Sequence, residues 1–429
     1  MSAKRIFKLD DFLALLKIKS FSTGDIAKRL KCNRGTALKY LKELKAKKQV
    51  IETRITTNLN LWKLTIFGNP ILIGDCAQTL KQLPDESVDL IVSDPPYGYN
   101  FMGLQWDRAL PSLEALKECL RVLKSGAFAF FMCAPRQDVM SRMIMRLSKA
   151  GFIVNFTSIF WVYNTGFSKA SDLSKIIDKQ AGVEREIISV EIKQPPATNC
   201  YGDYGDKYEV KHTIPTTEEA KNLDGAYVGF QPKPATEPIL VVMKSLSEKT
   251  YTAQALKNGK GCTWLDDCRI PWDRRHSSGS GQENYELEDR FPANILVSDD
   301  ALNDGTVTKS QYGTVTRDIG SHSRYFSLNA WFQARLPEAV QKTFPSLVVP
   351  KPHKNEKSKY CQNDHPTVKP LKLMSYLIVM GSREGDIVLD PYCGSGTTLE
   401  AAKMLKRRFI GCELDPKWKP VIEARAYMR

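Results

Sequence analysis

The 429-residue sequence has no apolar run long enough to cross a membrane. Its longest run, from Ala127 to Ala134, is far shorter than the roughly 18 residues that indicate a membrane span. The first basic residues are followed by Asp10 and Asp11, so no secretory signal is predicted either. Apolar residues make up 42% and charged residues 26%, which is typical of globular chains. We therefore expect a cytoplasmic, globular protein with no membrane partner.

The ten cysteines include no Cys-x-x-Cys pair. In a cytoplasmic chain of this length such cysteines are expected to be free thiols rather than a disulfide framework. The nearest candidates for zinc ligands have a spacing that matches no common pattern: Cys262, Cys268, His322, His353 and Cys361. We therefore predict no metal site.

Positive charge is concentrated at one end of the chain. Residues 1–66 carry 16 Lys and Arg against 5 Asp and Glu, whereas the rest of the chain is nearly neutral, within a total of +14. A small basic unit joined to a neutral body is typical of a nucleic-acid anchor. The alternative is a solvated, lysine-rich helix without a ligand.

Residues 22–47 have the pattern of two short helices joined by a turn. The first is predicted from Asp25 to Leu30, and apolar residues at i, i+3 and i+4 spacing predict the second from about Arg34 to Lys47. Two extended segments follow, around residues 50–56 and 59–66. The arrangement resembles a winged helix-turn-helix, whose second helix would enter a DNA major groove. The predicted DNA-facing residues are Arg34, Thr36, Lys39, Tyr40 and Lys42. Because such domains also bind proteins, a protein partner remains the alternative.

From residue 70 to 162 short apolar strands alternate with helical segments. This alternation predicts a parallel sheet in an α/β fold. Helices are expected at about Ala77 to Gln82, Leu113 to Leu123 and Gln137 to Ala150, with a strand at Phe152 to Val162. Asp75 and Asp94 follow two of the apolar strands. Because the chemistry of open sheets lies at the carboxyl ends of strands, both are candidate site residues.

Regular alternation fades from about residue 171 to 364, where Gly, Pro, Asn, Asp and Ser accumulate. A structureless loop of that length is implausible inside a compact domain, so an inserted domain is predicted. It contains aromatic and basic residues that suit either nucleic-acid contact or buried packing: Tyr201, Tyr204, Trp264, Trp272, Arg274, Arg275, Arg324, Tyr325 and Phe326.

Residues 386–413 return to a strand, a turn, a helix and a second strand. Gly394 and Gly396 in the turn allow the backbone to approach a ligand at the amino terminus of the helix. Glu413, after the second strand, can accept hydrogen bonds from ribose hydroxyls. Because position 399 is Leu, the third glycine of a dinucleotide fingerprint is absent. The pattern therefore favours an adenosine-type cofactor without pyrophosphate, although the turn alone could be structural.

The sequence Asp94-Pro95-Pro96-Tyr97 follows one of the predicted strands. Methyl transfer to an exocyclic amine is difficult because the lone pair of its nitrogen is delocalised into the ring. Asp94 and the Pro95 carbonyl could accept hydrogen bonds from the amine, while Tyr97 stacks on the base. Two consecutive prolines fix the backbone and so preorganise these groups. The alternative is a structural turn with a buried tyrosine.

These motifs resemble those of the amino-group DNA methyltransferases that use S-adenosylmethionine, over nearly all of residues 67–429. Because the Asp94 motif precedes the Asp390 motif, the order resembles the permuted β class, with a target recognition domain between them. Other blocks resemble phage-type members of this class: Phe101–Asp107, Lys233–Pro238, Gly261 with Asp267–Ile270, Phe291–Asn294 and His365–Pro370.

The resemblance implies a Rossmann-like methyltransferase domain in two parts, at 67–170 and 365–429, with the recognition domain at 171–364 and the winged helix at 1–66. It also assigns cofactor-binding residues. Those around the methionine part would be Asp390, Pro391, Gly394, Ser395, Gly396 and Thr397. Glu413 would bind the ribose and Asp75 the adenine amino group of the cofactor. Pro366, Thr367 and Lys369 would close the pocket.

The sequence therefore predicts a site-specific adenine N6-methyltransferase that acts on double-stranded DNA. It would be cytoplasmic and associated with the nucleoid, and encoded by a bacterium, an archaeon or a phage. Its target base would have to flip out of the duplex. There is no Pro-Cys pair, which a C5-cytosine enzyme would need as nucleophile. Cytosine N4 methylation is an alternative, although Ser is commoner than Asp at the first motif position in that group. A transcriptional regulator with a cofactor-sensing body is a second alternative, against which the intact Asp94 and Tyr97 argue.

Two further features bear on partners. A fused nuclease is not predicted, because its candidate residues Asp206, Glu209 and Lys211 are too closely spaced. A separate cognate restriction endonuclease would suit a methyltransferase of this kind. The sequence leaves that partner and the oligomeric state open.

Overall fold

The protein is described from a computed structural model. The residues that it describes are 12, 21–46, 50–56, 59–64, 69–100, 103–163, 170–193, 208–230, 232, 235–271, 289–297, 302, 308–309, 319–335, 363, 365 and 367–427.

Strands and helices of the described residues are numbered along the chain. The strands are β1 (Phe21–Ser22), β2 (Val50–Thr56), β3 (Leu59–Leu64), β4 (Ile71–Ile73), β5 (Leu90–Ser93), β6 (Phe128–Met132), β7 (Ile159–Val162), β8 (Ile187–Lys193), β9 (Tyr208–Thr213), β10 (Thr236–Met243), β11 (Ile295–Val297), β12 (Thr308–Lys309), β13 (Ile319–Gly320), β14 (Ile387–Asp390) and β15 (Arg408–Glu413). The helices are α1 (Thr23–Leu30), α2 (Arg34–Ala46), α3 (Cys76–Thr79), α4 (Leu113–Val122), α5 (Gln137–Ala150), α6 (Leu173–Gln180), α7 (Glu218–Asn222), α8 (Tyr251–Asn258), α9 (Leu328–Arg335), α10 (Leu371–Gly381), α11 (Thr397–Met404) and α12 (Lys419–Tyr427). None of the helices described is long and apolar enough to cross a membrane.

The amino-terminal elements are two helices and an antiparallel sheet of order β1-β3-β2. Helix α1 begins with a capping box, in which Ser22 Oγ accepts the Asp25 N–H at 3.1 Å and the Asp25 carboxylate accepts the Ser22 N–H at 3.3 Å. It ends at Lys31, which has a left-handed backbone with φ 53°. Asn33 Oδ1 accepts the Thr36 N–H at 2.7 Å and so caps α2. Both predicted helices are present, and α1 begins two residues earlier than predicted.

The helices α1 and α2 share a small apolar core. Its fully buried members come from the predicted apolar faces and from one residue upstream: Phe12, Ile26, Ala37, Leu41 and Leu44. The spacing of these residues in the sequence therefore accounts for the packing of the two helices.

The chain divides into two compact units. The first unit comprises Met1–Ile159, Pro238–Cys268 and Leu371–Arg429, and the second comprises Phe160–Glu237 and Arg269–Pro370.

The first unit contains a mostly parallel sheet with the order β10-β6-β5-β14-β15-β4. Strands β6, β5, β14, β15 and β4 run parallel to one another, and β10 pairs antiparallel with β6. The inner strands β5 and β14 are buried on both faces. Such burial is expected for parallel strands that are covered by helices on each side.

Apolar side chains of the helices cover this sheet on two faces. On one face, α3, α4 and α5 pack on inward-facing strand residues such as Ile91, Phe131 and Ile410. On the other face, α10 approaches so closely that a Cβ on Gly381 would lie 2.5 Å from Leu90 Cδ1. The predicted α/β fold, a mostly parallel sheet with helices, is confirmed.

The second unit contains small sheets with helices beside them. Strands β7 and β11 pair in parallel, and β8 and β9 form an antiparallel ribbon. The fully buried Asp178 of α6 accepts hydrogen bonds from the main-chain N–H groups of Thr216 and Thr217 and pairs with Arg185 at 2.9 Å. This carboxylate therefore joins α6 to the segment that leads into α7.

Three predicted boundaries differ from the structure. The insertion was predicted as one stretch from 171 to 364, but Pro238–Cys268 belongs to the first unit. The reason is that β10 pairs with β6 and buries Ile239 and Met243 there. The strand predicted from Phe152 begins at Ile159, and Ile153 forms only an isolated bridge to Met243. The helix predicted over residues 77–82 is α3 followed by a 3-10 turn at Leu80–Gln82.

Candidate active site

Four neighbouring parallel strands of the first unit end at the same edge of the sheet. The order β5-β14-β15-β4 places the carboxyl ends of these strands side by side. Each strand is followed by, or ends in, an acidic residue named from the sequence: Asp94, Asp390, Glu413 and Asp75. The topology therefore brings together the predicted catalytic and cofactor-binding motifs, which are far apart in the sequence.

Asp390 lies at the centre of this edge and is only 3% exposed. Its Oδ1 accepts a hydrogen bond from Ser93 Oγ at 2.6 Å and one from the Tyr392 N–H at 3.1 Å. Burial raises the pKa of the Asp390 carboxyl to about 6. The hydrogen bond from Ser93 joins the strand that precedes Asp94 directly to the strand that precedes the glycine turn.

The turn between β14 and α11 contains the two predicted glycines. Gly396 has φ 85°, and a Cβ there would lie 3.1 Å from Ile422 Cγ2, so both backbone shape and space favour glycine. The Gly394 N–H donates to Glu413 Oε2 at 2.9 Å. Pro391, Ser395 and Thr397 are buried in and beside this turn.

Glu413 holds the turn in place through its carboxylate. Its Oε1 accepts the Asp415 N–H at 2.9 Å, and its main-chain carbonyl accepts the Gly74 N–H at 2.8 Å. Burial raises the pKa of the Glu413 carboxyl to about 7. The buried Asp390 and the half-buried Glu413 therefore both have raised pKa values next to the same turn.

Asp75 is exposed and lies two residues after β4. Its Oδ1 caps α3 by accepting the Ala77 N–H at 2.9 Å. The bond from Gly74 to the Glu413 carbonyl places Asp75 beside Glu413, as the predicted site requires.

Arg425 is a buried charge under the glycine turn that sequence reasoning missed. Its guanidinium donates to Ser395 Oγ at 2.9 Å and pairs with Glu400 at 2.8 Å, while the residue is only 2% exposed. The sequence shows only that this arginine stands between Ala424 and Ala426 after the motif, which does not indicate its partners Ser395 and Glu400.

Asp94 and Tyr97 contact each other at the end of β5. The Tyr97 hydroxyl donates to Asp94 Oδ1 at 2.6 Å, and both residues are half-buried. Pro95 is buried and Pro96 is half-buried between them. Asp94, predicted to bind the substrate amine, and Tyr97, predicted to stack on its base, therefore lie together, with a contact between them that the sequence does not predict.

A second acidic residue holds the backbone after this motif. Asp107 Oδ1 accepts the N–H groups of Tyr97 at 2.7 Å and Gly98 at 3.0 Å, and its Oδ2 accepts the Tyr99 N–H at 3.2 Å. The Arg136 guanidinium lies 4.3 Å from the centre of the Tyr99 ring. From the sequence, Asp107 is recognised only as the last residue of the block that ends at position 107.

Of the three residues predicted to close the pocket, Thr367 and Lys369 belong to the second unit. Lys369 pairs with Glu237 at 3.0 Å, and the Thr367 N–H donates to His365 Nδ1 at 3.3 Å. Pro366 lies outside the described residues. That these residues close the pocket stays a prediction.

The predicted DNA-facing residues lie on α2. Arg34, Lys39 and Lys42 are exposed and Thr36 is half-buried. Tyr40 is half-buried, because its ring stacks on Phe12 with centroids 4.8 Å apart and packs against the small core, and its contact with DNA stays a prediction. Burial of a large aromatic ring next to this core is stabilising, so one face of the Tyr40 ring is used for packing.

Several residues named in the predicted insertion lie elsewhere or outside the description. Trp264 belongs to the first unit, where the Arg383 guanidinium lies 3.4 Å from its ring centre. In the second unit, Tyr325 has Arg290 over its ring at 4.6 Å. The residues outside the description are Tyr201, Tyr204, Asp206, Trp272, Arg274 and Arg275. Within the part of the chain that is described, no group of three or more His, Cys, Asp and Glu residues is placed to hold a metal ion.

Comparison with known proteins adds a family and individual relatives. A family profile described as DNA methylase matches residues 88–424. The chain is 23% identical over 372 residues to the DNA adenine methyltransferase YhdJ of Escherichia coli, a match that covers 82% of each protein. It is 44% identical over 61 residues to the Type II methyltransferase M2.DpnII of Streptococcus pneumoniae, and this match covers 14% of the chain and 23% of that relative.

Solved structures that resemble this chain include the M1.HpyAVI-SAM complex. The likeness has a TM-score of 0.36 at 15% sequence identity and covers 84% of this chain and 99% of that chain.

Proposed function

Because the chain belongs to the N6/N4 family of DNA methylases, we propose that it methylates the N6 amine of adenine in double-stranded DNA. The proposed methyl donor is S-adenosylmethionine. The observation that carries the proposal is the 2.6 Å hydrogen bond from Ser93 Oγ to Asp390, because it joins the Asp94 motif to the glycine turn. A methyl donor bound at the turn would thus lie beside the groups that bind an amine.

The residues at the turn fit such a cofactor. A helix amino terminus attracts a carboxylate, which the methionine part would supply at the start of α11, beside Gly396 and Thr397. The carboxylate oxygens of Glu413 have remaining lone pairs that can accept hydrogen bonds from the ribose hydroxyls. Asp75 lies beside Glu413 and is exposed and acidic. The bound cofactor would supply an electrophilic methyl group.

The Asp94 motif would prepare the amine for reaction. The Asp94 carboxylate and the Pro95 carbonyl accept the two N–H groups of the amine, which draws its lone pair out of conjugation with the ring. The Tyr97 ring stacks on the base, and the two prolines keep the acceptors in place without reorganisation. As the nitrogen takes the methyl group from sulfur, the donor would leave as the neutral thioether S-adenosylhomocysteine, and the nitrogen would lose one proton, which Asp94 would accept and pass to water.

The order of the motifs supports assignment to the permuted β class. The catalytic motif at 94–97 precedes the cofactor motif at 390–396, and the whole of the second unit lies between them in sequence. We assign target recognition to this second unit. The target base would reach Asp94 only after flipping out of the duplex.

The amino-terminal helices and sheet are proposed to be a winged helix-turn-helix that binds DNA. Support comes from the two capped helices, the antiparallel strands β2 and β3, and the exposed basic residues Arg34, Lys39 and Lys42 on α2. The second helix of such a fold enters the major groove.

Adenine is proposed over cytosine because the motif begins with Asp and because the relative matched over most of its length, YhdJ, is an adenine methyltransferase. The deciding experiment expresses the protein in a bacterial host without its own DNA methyltransferases. Mass spectrometry of nucleosides from host DNA should then find N6-methyladenine. N4-methylcytosine would instead support the cytosine alternative. The absence of both modified bases would refute the proposed activity.

A further inference from the structure

The carboxylate of Asp107 binds three consecutive N–H groups immediately after the Asp94 motif. These belong to Tyr97, Gly98 and Tyr99, at 2.7, 3.0 and 3.2 Å. Asp107 is only 3% exposed, so water competes little for its oxygens. Hydrogen bonds to an ionised carboxylate are roughly twice as strong as neutral ones. This clamp therefore fixes the backbone from which the Tyr97 ring projects.

Asp107 is itself held in place from both sides. The Asn100 N–H donates to the Asp107 carbonyl at 2.8 Å and closes the loop between them. After the loop, Arg146 of α5 donates to the carbonyls of Leu110 at 2.9 Å and Pro111 at 2.6 Å. A Cβ on Gly98, which has φ +72°, would lie 3.3 Å from the Leu110 nitrogen. The clamp therefore connects Tyr97 to a regular helix of the fold.

We propose that Asp107 is a positioning residue that holds the Tyr97 ring where the flipped base stacks. The inference rests on the proposed function. With the Tyr97 main chain fixed, only the torsions of its side chain remain free, and the hydroxyl contact with Asp94 restrains those. Without Asp107, three N–H groups lose their acceptor, and the main chain that carries the Tyr97 ring is no longer held in place. In this proposal Asp107 affects the rate of methyl transfer only because it positions Tyr97.

A double-mutant cycle tests this dependence. The variants are Asp107→Ala, Tyr97→Ala and the two combined, measured as single-turnover transfer of tritiated methyl groups to unmethylated genomic DNA. A misplacement of about 1 Å costs on the order of 100-fold in rate, so Asp107→Ala should slow transfer by about that factor. In the Tyr97→Ala background the same change should slow transfer by less than about threefold, because coupled residues are not additive. Factors that simply multiply would overturn the inference.

Two measurements separate positioning from general damage. Binding of S-adenosylhomocysteine, by calorimetry, should stay within about twofold in Asp107→Ala, since the Asp107 carboxylate binds the main chain of residues 97–99, next to the amine site rather than at the glycine turn; a parallel loss of affinity would overturn the inference. If Asp107→Ala does not fold, the same double-mutant cycle is measured with Asp107→Asn. It keeps one acceptor oxygen and should slow transfer by about tenfold.

The matched control is Asp85→Ala. Asp85 is another acid of the first unit, but it is exposed and pairs with Arg121 rather than with residues 97–99. Its removal should leave the rate unchanged, and a 100-fold loss there would overturn the inference by showing that any acid in this region has the same effect. Full activity of Tyr97→Ala would refute the proposed site and this inference together. A slow Tyr97→Ala with a normal Asp107→Ala would refute this inference alone.

Discussion

Glu413 combines burial with a position where a ribose is proposed to bind. Its pKa is raised to about 7 because the charged form is poorly solvated, and Asp390 beside the same turn has a pKa of about 6. A proton on Glu413 converts an acceptor-only carboxylate into a neutral acid that accepts hydrogen bonds weakly. The protonation state of the apo site therefore changes within the range of pH in which such an enzyme is assayed.

We expect cofactor affinity to fall as pH drops. Between pH 8 and pH 6 the apo Glu413 passes from mostly charged to mostly protonated, so the affinity for S-adenosylhomocysteine should decrease by about tenfold. Calorimetry at pH 8, 7 and 6 measures this. Glu413→Gln, which carries no titrating group there, should bind weakly at every pH and lose most of the dependence. Equal affinity of the unaltered protein at all three pH values would show that Glu413 does not contact the ligand.

Substitutions at Asp94 and Tyr97 should change methyl transfer without changing cofactor binding. Asp94→Ala removes the acceptor of the amine, so methyl transfer should fall by about 1,000-fold or more while S-adenosylhomocysteine affinity stays within about twofold. Tyr97→Phe is the matched change, because it keeps the stacking ring and deletes only the hydroxyl that contacts Asp94. It should retain activity within about tenfold. Wild-type activity in Asp94→Ala would remove the proposed mechanism.

At the scale of single residues, the sequence predicted the acids that follow strands. Asp94, Asp390 and Glu413 could be located because each ends an apolar run in a recognisable turn. Asp107 and Arg425 could not, since their partners lie across a loop or in another helix. Such contacts depend on tertiary structure, which local pattern does not contain.

Helix α12 supports the cofactor turn from outside the motif. Arg425 in this helix reaches Ser395 in the turn and pairs with Glu400 in α11, and both charges are buried. Breaking a buried pair is costly because the remaining charge is left without a partner. The turn therefore depends on a helix that no sequence motif marks.

Arg425→Ala should lower the free energy of unfolding by about 3–5 kcal/mol, measured by urea denaturation, because Glu400 stays buried and unpaired. The double variant Arg425→Ala with Glu400→Ala should recover part of that loss. It should still bind S-adenosylhomocysteine more weakly, since Ser395 no longer has its donor. Lys419→Ala, at an exposed position of the same helix, should change stability by less than about 0.5 kcal/mol. An equally small effect of Arg425→Ala would show that the pair contributes little.

At the scale of elements, the alternation of strands and helices predicted most of the central sheet. Strand β10 is not predicted, because its apolar run Ile239 to Met243 lies within a long stretch rich in turn residues. Its antiparallel pairing with β6 also falls outside the βαβ pattern used for the prediction. Its position beside β6 is a property of the fold that the sequence order alone does not give.

Over the whole molecule, charge is distributed unevenly, with residues 1–66 holding 16 Lys and Arg against 5 Asp and Glu. If this segment binds the phosphate backbone, its removal should make log affinity for DNA depend less steeply on log salt, by about 0.9 for each phosphate that is no longer neutralised. The truncated enzyme should methylate the same sequence with a higher Michaelis constant for DNA, because phosphate contacts position and base contacts specify.

The control for the truncation is the full chain with Arg34, Lys39 and Lys42 changed to Ala, which keeps the fold of the segment and removes charge from α2. It should reduce the salt slope by a smaller amount in the same direction. An unchanged slope in both proteins would assign the segment to a protein partner. A changed methylated sequence would instead assign recognition to α2.

The pairing of β5 with β14 has a consequence for how the chain folds. Ser93 and Asp390, joined by a hydrogen bond, are 297 residues apart in sequence. During synthesis the strand β5 must therefore wait, with one edge unpaired, until residues 387–413 have left the ribosome. Unpaired strand edges and exposed apolar surface promote aggregation, and long-range pairing slows folding. We therefore expect newly made chains to depend on chaperones, and chains that stop before residue 387 to accumulate as insoluble protein.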